Sequence, residues 1–149
     1  MTIFIKPHNT QFCIAVFETV ANVVKLSRVA FVTGENEVVE FLLQYKNIET
    51  VRFDGTEYMQ TGISIRKKTD LPNKEIQIFI YKGKGNVHDR IAVQQEWLME
   101  NVSLNENNND TYYARFENML SDYDPTNKNC DTMAADLMAD AARYFRRLM

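Results

Sequence analysis

The five glycines of this 149-residue chain all lie between Gly34 and Gly85, and the 64 residues after Gly85 contain none. Glycine supplies the backbone freedom that tight turns need, and it weakens the interior of a helix. Residues 1–85 also carry the alternating apolar residues that are typical of strands, whereas residues 86–149 have helical spacing. The sequence therefore predicts a change from sheet to helix near the turn Lys82-Gly83-Lys84-Gly85.

The length suits one domain over residues 1–149, with a sheet-forming part (1–85) and a helical part (86–149). Apolar residues make up 45% and charged residues 25%, as is usual for a globular protein. No apolar run approaches the roughly 20 residues that span a bilayer, and the first residues lack a secretion signal. We therefore expect a cytoplasmic protein in which Cys13 and Cys130 stay reduced.

The formal net charge is −3, and the acidic residues are concentrated in the helical part. Residues 91–149 contain 10 Asp and Glu against 5 Lys and Arg. A net charge of this sign argues against a dedicated DNA-binding protein, although a local basic patch remains compatible with it. The composition thus predicts that nucleic acid is an unlikely partner.

The predicted fold class is α+β, with an antiparallel sheet of about four strands and helices packed mainly on one face. Residues 10–26 have apolar positions every four residues, which indicates a helix, but their many β-branched side chains leave a strand over 12–17 open. The firmest predicted hairpin pairs 48–53 with 59–66 through the turn at Asp54-Gly55. The other predicted strands are 2–6, an edge strand ended by Pro7, 28–32 and 75–81, and the other predicted helices begin near 33 and cover 87–102, 112–123 and 131–148.

The turn at residues 82–86 is a candidate phosphate or nucleic-acid site. Lys82 and Lys84 place two ammonium groups and glycine amides directly before a predicted helix, an arrangement that can hold a phosphate. The spacing of a nucleotide-binding P-loop is absent, and glycines occur in such turns for steric reasons alone. A plain turn is the simpler interpretation.

A set of aromatic and acidic residues after the turn predicts a protein-binding surface. Tyr112 and Tyr113 are adjacent, so they cannot both face the core of a helical domain, and tyrosine is common at interface hot spots. Around them we expect an acidic surface suited to a basic partner. The predicted protein-binding residues are Glu106, Asp110, Tyr112, Tyr113 and Glu117.

The leading functional prediction is a non-enzymatic protein-binding inhibitor or adaptor, of the kind represented by immunity proteins, antitoxins and phage counter-defence proteins. This prediction depends on what the sequence lacks, because no nucleophile motif and no zinc-ligand spacing are present. We accordingly predict no cofactor and no metal. Two alternatives remain open: a structural subunit of a homo-oligomeric ring or virion assembly, and a small enzyme with a site around Glu57, Tyr58 and His88.

Overall fold

The computed structural model describes residues 1–105 and 109–149, and it contains one six-stranded sheet. In chain order the elements are β1 (Thr2–His8), β2 (Gln11–Val20), β3 (Val23–Val32), α1 (Glu35–Leu43), β4 (Thr50–Asp54), α2 (Met59–Asp70), β5 (Ile78–Tyr81), α3 (Val87–Asn101), β6 (Val102–Leu104), α4 (Thr111–Ser121) and α5 (Met133–Leu148). The order of the strands in the sheet is β5-β4-β1-β2-β3-β6.

The α+β class is confirmed, but the sheet is mixed and has six strands, where the sequence predicted about four antiparallel ones. β1 pairs antiparallel with β2 and parallel with β4, and β4 pairs parallel with β5. β1 is therefore an inner strand, and its prediction as an edge strand is wrong. Pro7 does not end it, because Pro7 still lies opposite Phe12 of β2.

The predicted helix over residues 10–26 is wrong, and the strand that the sequence left open is present. Residues 11–32 form β2 and β3, joined at Ala21 and Asn22. Both turn residues have positive φ values, 50° and 68°, as the tight turns of hairpins require. The β-branched residues favour a strand, and in this segment their preference outweighs the four-residue spacing of apolar positions that indicated a helix.

The predicted partner strand at 59–66 is also wrong, because these residues belong to α2, which connects the parallel strands β4 and β5. Gly62 is buried in this helix beside the ring of Phe53. A Cβ atom at Gly62 would lie 2.8 Å from Cδ1 of Phe53, so the glycine permits close packing of α2 on β4. Its role is contact between helix and sheet, whereas the sequence analysis placed Gly62 inside a strand.

The chain forms two compact units, and its last crossing from the first to the second lies between Gly83 and Lys84, within the predicted turn. The first unit comprises residues 1–17 and 30–83, and its core includes Ile5, Val51 and Phe53. The second comprises 18–29 and 84–149. The prediction of one domain with a boundary at residue 85 stays a prediction.

The second unit contains the three helices that the sequence predicted after Gly85, and their positions are confirmed. α5 is buried at seven consecutive residues, Met133 to Ala139, so neighbours surround its first two turns. Ile91 of α3 packs in a cluster with Ala135 and Ala139 of α5. Among the described residues, no helix is both long enough and apolar enough to cross a membrane.

Candidate active site

Two carboxylates are buried among the described residues, Asp54 at 6% exposure and Asp136 at 4%. Buried acids are rare because an ion loses its hydration, so each one needs a partner of opposite charge or a specific role. Asp54 ends β4 in the first unit, and Asp136 lies in the first turn of α5 in the second unit. Each of them is paired with a base of its own unit.

Asp54 forms a buried ion pair with Lys6 of the neighbouring strand β1. The parallel register sets this pair, because Ile5 lies opposite Phe53 and the next residue of each strand is Lys6 and Asp54. Lys6 is itself only 9% exposed. The carboxyl ends of two neighbouring parallel strands therefore carry one acid and one base in direct contact. α/β proteins often place their binding sites at the carboxyl ends of their strands.

Both oxygens of the Asp54 carboxylate have hydrogen-bond partners. Oδ1 accepts hydrogen bonds from the Thr56 backbone N–H at 3.0 Å and from the Thr56 hydroxyl at 2.5 Å, while Oδ2 contacts Lys6 Nζ. The Thr56 hydroxyl oxygen accepts from the Gly83 N–H at 2.9 Å. Burial raises the pKa of Asp54, but the Lys6 charge and the hydrogen bonds from Lys6 and Thr56 outweigh it, so the pKa lies below its ordinary value.

Asp136 and Asp140 lie one helical turn apart on α5, and each offers a carboxylate oxygen within 4.8 Å of the other's. Arg90 of α3 places Nη2 3.1 and 3.2 Å from the two oxygens of Asp136. The same guanidinium donates through Nη1 to the backbone carbonyls of Lys84 and Gly85. Arg90 thus ties α5 to the loop that precedes α3.

The Asp136 and Asp140 carboxylates have the donor chemistry of a site for a hard divalent cation. Mg²⁺ and Mn²⁺ prefer oxygen ligands, and one or two carboxylates suffice where substrate phosphates supply further ligands. The sequence prediction of no metal rested on histidine and cysteine spacing, which does not report on such sites.

A pocket of about 350 Å³ opens beside Asp140 in the second unit, between the start of α3 and the middle of α5. Five of its ten lining residues are charged, and three of these are bases. Lys84 and Arg143 are exposed, whereas Arg90 is engaged with Asp136. The lining includes Lys84, Asn86, Asp89, Arg90, Asp140 and Arg143.

Lys82 and Lys84, the predicted phosphate-binding lysines, are both exposed. The amides at the start of α3 are not open for a phosphate, because the Asn86 side chain accepts from the N–H groups of His88 and Asp89 at 2.8 and 3.3 Å. Phosphate binding at this turn would therefore depend on lysine side chains. Their role stays a prediction.

Tyr113, one of the predicted protein-binding residues, is fully buried, and the role of the others stays a prediction. Its hydroxyl donates to the Leu26 carbonyl at 2.7 Å and accepts from the Asn105 N–H at 2.7 Å. Tyr112 is 45% exposed, Asp110 caps α4 by accepting from the N–H groups of Tyr112 and Tyr113, and Glu117 is half-buried. Glu106 lies outside the described residues.

The alternative enzyme site around Glu57, Tyr58 and His88 stays a prediction. Glu57 and Tyr58 are exposed residues before α2 in the first unit. His88 lies in the first turn of α3 in the second unit, where its Nδ1 is 2.7 Å from the Tyr123 hydroxyl. This contact gives His88 a partner that the sequence analysis did not anticipate.

Sequence reasoning missed Lys6, Asp54, Asp136 and Asp140 as site residues. It assigned Asp54 to a hairpin turn, and it placed Asp136 and Asp140 in a predicted helix without a further role. One signal was available for the last two: they are spaced four apart in a stretch of alanines and apolar residues, where a surface helix would carry more polar neighbours. The Lys6–Asp54 pair had no local signal, because it depends on the pairing of distant strands.

No protein-family model and no curated protein matches this chain. Solved structures do match it over almost the full length. A fowlpox virus resolvase in complex with its substrate, Holliday junction DNA, has a TM-score of 0.58 at 16% identity, covering 99% of each chain. The fowlpox virus Holliday junction resolvase has a TM-score of 0.59 at 15% identity, again with 99% of each chain covered.

The likeness is one of fold. It corrects the prediction of a non-enzymatic protein-binding inhibitor, because the full-length structural neighbours are resolvases. It also corrects the expectation that nucleic acid is an unlikely partner, because one of these neighbours is bound to a DNA junction. The net charge of −3 misled the second prediction, since binding depends on where bases lie and not on their sum.

Proposed function

We propose that this chain is a metal-dependent nuclease that cleaves branched DNA. One observation carries the proposal: the fold matches viral Holliday junction resolvases across 99% of both chains. Two local observations support it, namely the paired carboxylates of Asp136 and Asp140 and the ion-paired carboxylate of Asp54. A cytoplasmic location and a homo-oligomeric state stay predictions within this proposal.

The residues fit a divalent metal ion, because Asp136 and Asp140 present hard oxygen donors to a common position on α5. A bound Mg²⁺ or Mn²⁺ would supply a lowered pKa for water and charge stabilisation at a phosphate. Asp136 and Asp140 would hold the ion, and Arg90 would keep Asp136 in a fixed orientation through its two short contacts. In the reaction, the oxygen of water bonds to phosphorus while one phosphorus–oxygen bond to a sugar breaks, and the leaving oxygen gains a proton.

Bases of the second unit provide the phosphate contacts that DNA binding needs. Arg143, Arg146 and Arg147 lie on the last turns of α5, and Arg143 shares the 350 Å³ pocket with Lys84. Arg146 donates to the Gln94 side chain of α3 at 2.9 Å. These exposed bases near the proposed metal ligands Asp136 and Asp140 permit contacts with the phosphate backbone of DNA, although the net charge of the whole chain is negative.

The experiment that tests the proposal compares a synthetic four-way DNA junction with a linear duplex of the same arm sequence. In Mg²⁺ or Mn²⁺ we expect the protein to cleave the junction and to leave the duplex uncut, and we expect EDTA to stop cleavage. An intact junction in both metals would contradict the nuclease proposal. Equal cleavage of junction and duplex would contradict the preference for branched DNA.

A further inference from the structure

A second pocket of the second unit is lined without any Asp, Glu, Lys or Arg. Its volume is about 210 Å³, and its ten lining residues come from α3, the end of α4, the turn that follows α4, and α5. Seven of the ten are apolar, among them Ile91 and Met138, and the other three are His88, Gln95 and Tyr123. Because this wall offers no charge to pair with an ion, the pocket suits an uncharged group with apolar faces.

The polar edge of this apolar pocket is the hydrogen-bonded pair of His88 and Tyr123. Nδ1 of His88 is 2.7 Å from the Tyr123 hydroxyl oxygen, and no hydrogen bond to Nε2 is made within the described ranges 1–105 and 109–149. If the hydroxyl donates to Nδ1, neutral His88 carries its proton on Nε2, which is then a donor. In the other tautomer Nε2 accepts, and the hydroxyl keeps a proton to donate. The pair can therefore offer a ligand a donor or an acceptor.

The size and the chemistry of the apolar pocket fit one planar ring. Pockets that hold drug-sized ligands measure about 300–1,000 Å³, so 210 Å³ is room for a smaller group. Nucleobases are planar and uncharged, and proteins bind unstacked ones by packing apolar or aromatic side chains on their faces and by hydrogen bonds to their edges. The apolar wall and the His88–Tyr123 pair supply both kinds of contact. A phosphate group, in contrast, would have no basic side chain to contact here.

The apolar pocket and the 350 Å³ pocket described above are lined by different faces of α3. His88, Ile91 and Gln95 line the apolar pocket, and their spacing of three and four residues puts them on one face. Asp89 and Val93 line the other pocket from a neighbouring face. The second unit therefore has an uncharged pocket on one face of this helix, and on another face the pocket whose basic side chains are proposed to contact phosphates.

We propose that the apolar pocket binds one unpaired nucleobase of branched DNA. The inference rests on the proposed function, which supplies a substrate with bases at a branch point. A base that is not firmly paired and stacked costs less to extrude than a base inside a duplex. Ile91 and Met138 would pack on the base, and the His88–Tyr123 pair would form hydrogen bonds with its edge. Because a linear duplex offers no such base, occupation of the pocket favours branched DNA.

The first experiment titrates the protein with deoxyadenosine and with thymidine, which carry a base but no phosphate, and follows the ring signals of both histidines by NMR. We expect the signals of His88 to shift and those of His8, which lies in the first unit, to stay. Ala92→Phe fills the pocket from an exposed position on α3 and should remove the shift. Ala114→Phe, at an exposed position of α4, is the matched control and should keep it.

Unshifted His88 signals in the wild type, with both nucleosides raised to their solubility limits, would overturn the inference whether or not the variants fold. The same shift in a folded Ala92→Phe variant would also overturn it. Circular dichroism establishes the folding of each variant.

The second experiment measures the binding of the four-way junction and of the linear duplex in EDTA, so that binding is separate from cleavage. Losing the contacts of one base lowers affinity by about tenfold, so Ala92→Phe should weaken junction binding to this extent and leave duplex binding unchanged. Ala114→Phe should change neither, and unchanged junction binding by Ala92→Phe would overturn the inference. An intact junction in the cleavage test would end the proposed nuclease function, whereas the nucleoside titration involves no cleavage and tests the pocket alone.

Discussion

Lys6 and Asp54 are neighbours across the parallel strands β1 and β4, and their side chains form an ion pair that is buried from solvent. The pair joins two strands that are 48 residues apart in sequence. It also sets the charge at the carboxyl end of β4, where Asp54 lies.

Removing one member of this pair is expected to destabilise the protein strongly. Lys6→Met leaves the Asp54 carboxylate buried with its main counter-charge gone, a change that costs about 3–5 kcal/mol. Lys6→Met/Asp54→Leu removes both charges and should recover most of that free energy of unfolding. Urea unfolding measures each value. Lys68→Met breaks the exposed pair with Glu35 and serves as control, with an expected cost below about 1 kcal/mol.

The stability of the protein should fall in acid partly because of Asp54. Its pKa is lower in the folded chain than its ordinary value of 3.8, so the unfolded chain takes up the proton more readily. The stabilisation is therefore present above pH 3.8 and is lost as the pH falls through the lower folded pKa. Between about pH 5 and about pH 2, the wild type should lose more unfolding free energy than Asp54→Asn does. The exposed Asp70→Asn variant should keep the wild-type slope, and equal slopes for all three proteins would refute the assignment.

Tyr113 is expected to stabilise the second unit through its hydroxyl. Tyr113→Phe leaves the Leu26 carbonyl and the Asn105 N–H without this partner, at a cost of about 1–3 kcal/mol. Tyr112→Phe, on the adjacent exposed tyrosine, should change the unfolding free energy by less than about 0.5 kcal/mol. Thermal and urea unfolding compare the two, and equal effects would show that the hydroxyl of Tyr113 contributes little.

Lys84 and Arg143, which line the pocket beside Asp140, are expected to contact DNA phosphates. Lys84→Ala and Arg143→Ala should each weaken junction binding, and each should reduce the slope of log affinity against log salt concentration by about 0.9. Fluorescence anisotropy at several salt concentrations measures both quantities. Lys46→Ala, an exposed lysine after α1, is the control, and a wild-type slope in both pocket variants would exclude these contacts.

The helices after Gly85 could be predicted from the sequence because their apolar residues recur at helical spacing over long stretches. Met133, Leu137 and Ala141 mark the buried side of α5 in this way, and all three are buried. The sheet was harder to predict. Residues 11–32 combine β-branched side chains with an apolar period of four, and α2 carries a glycine whose role is contact with Phe53.

The candidate site residues were mostly beyond local sequence reasoning, and the cause differs between those of the first unit and those of the second. Lys6 and Asp54 meet only through the register of β1 and β4, which no short pattern encodes. Asp136 and Asp140 were visible as an i, i+4 pair, but acids in the first half of a helix are also favoured by its dipole. The burial of Asp136 distinguishes a site residue from an acid that only interacts with the helix dipole. This burial could not be predicted from the sequence, because it depends on the packing around the whole of α5.

The most direct test of the central claim measures junction cleavage and junction binding together for Asp136→Asn and Asp140→Asn. Each change removes a carboxylate charge that would hold the metal, so we expect cleavage to fall by about 10²-fold or more while binding of the four-way junction is retained. Glu96→Gln, an exposed acid on α3, should cleave as the wild type does. Wild-type cleavage by both aspartate variants would contradict the account.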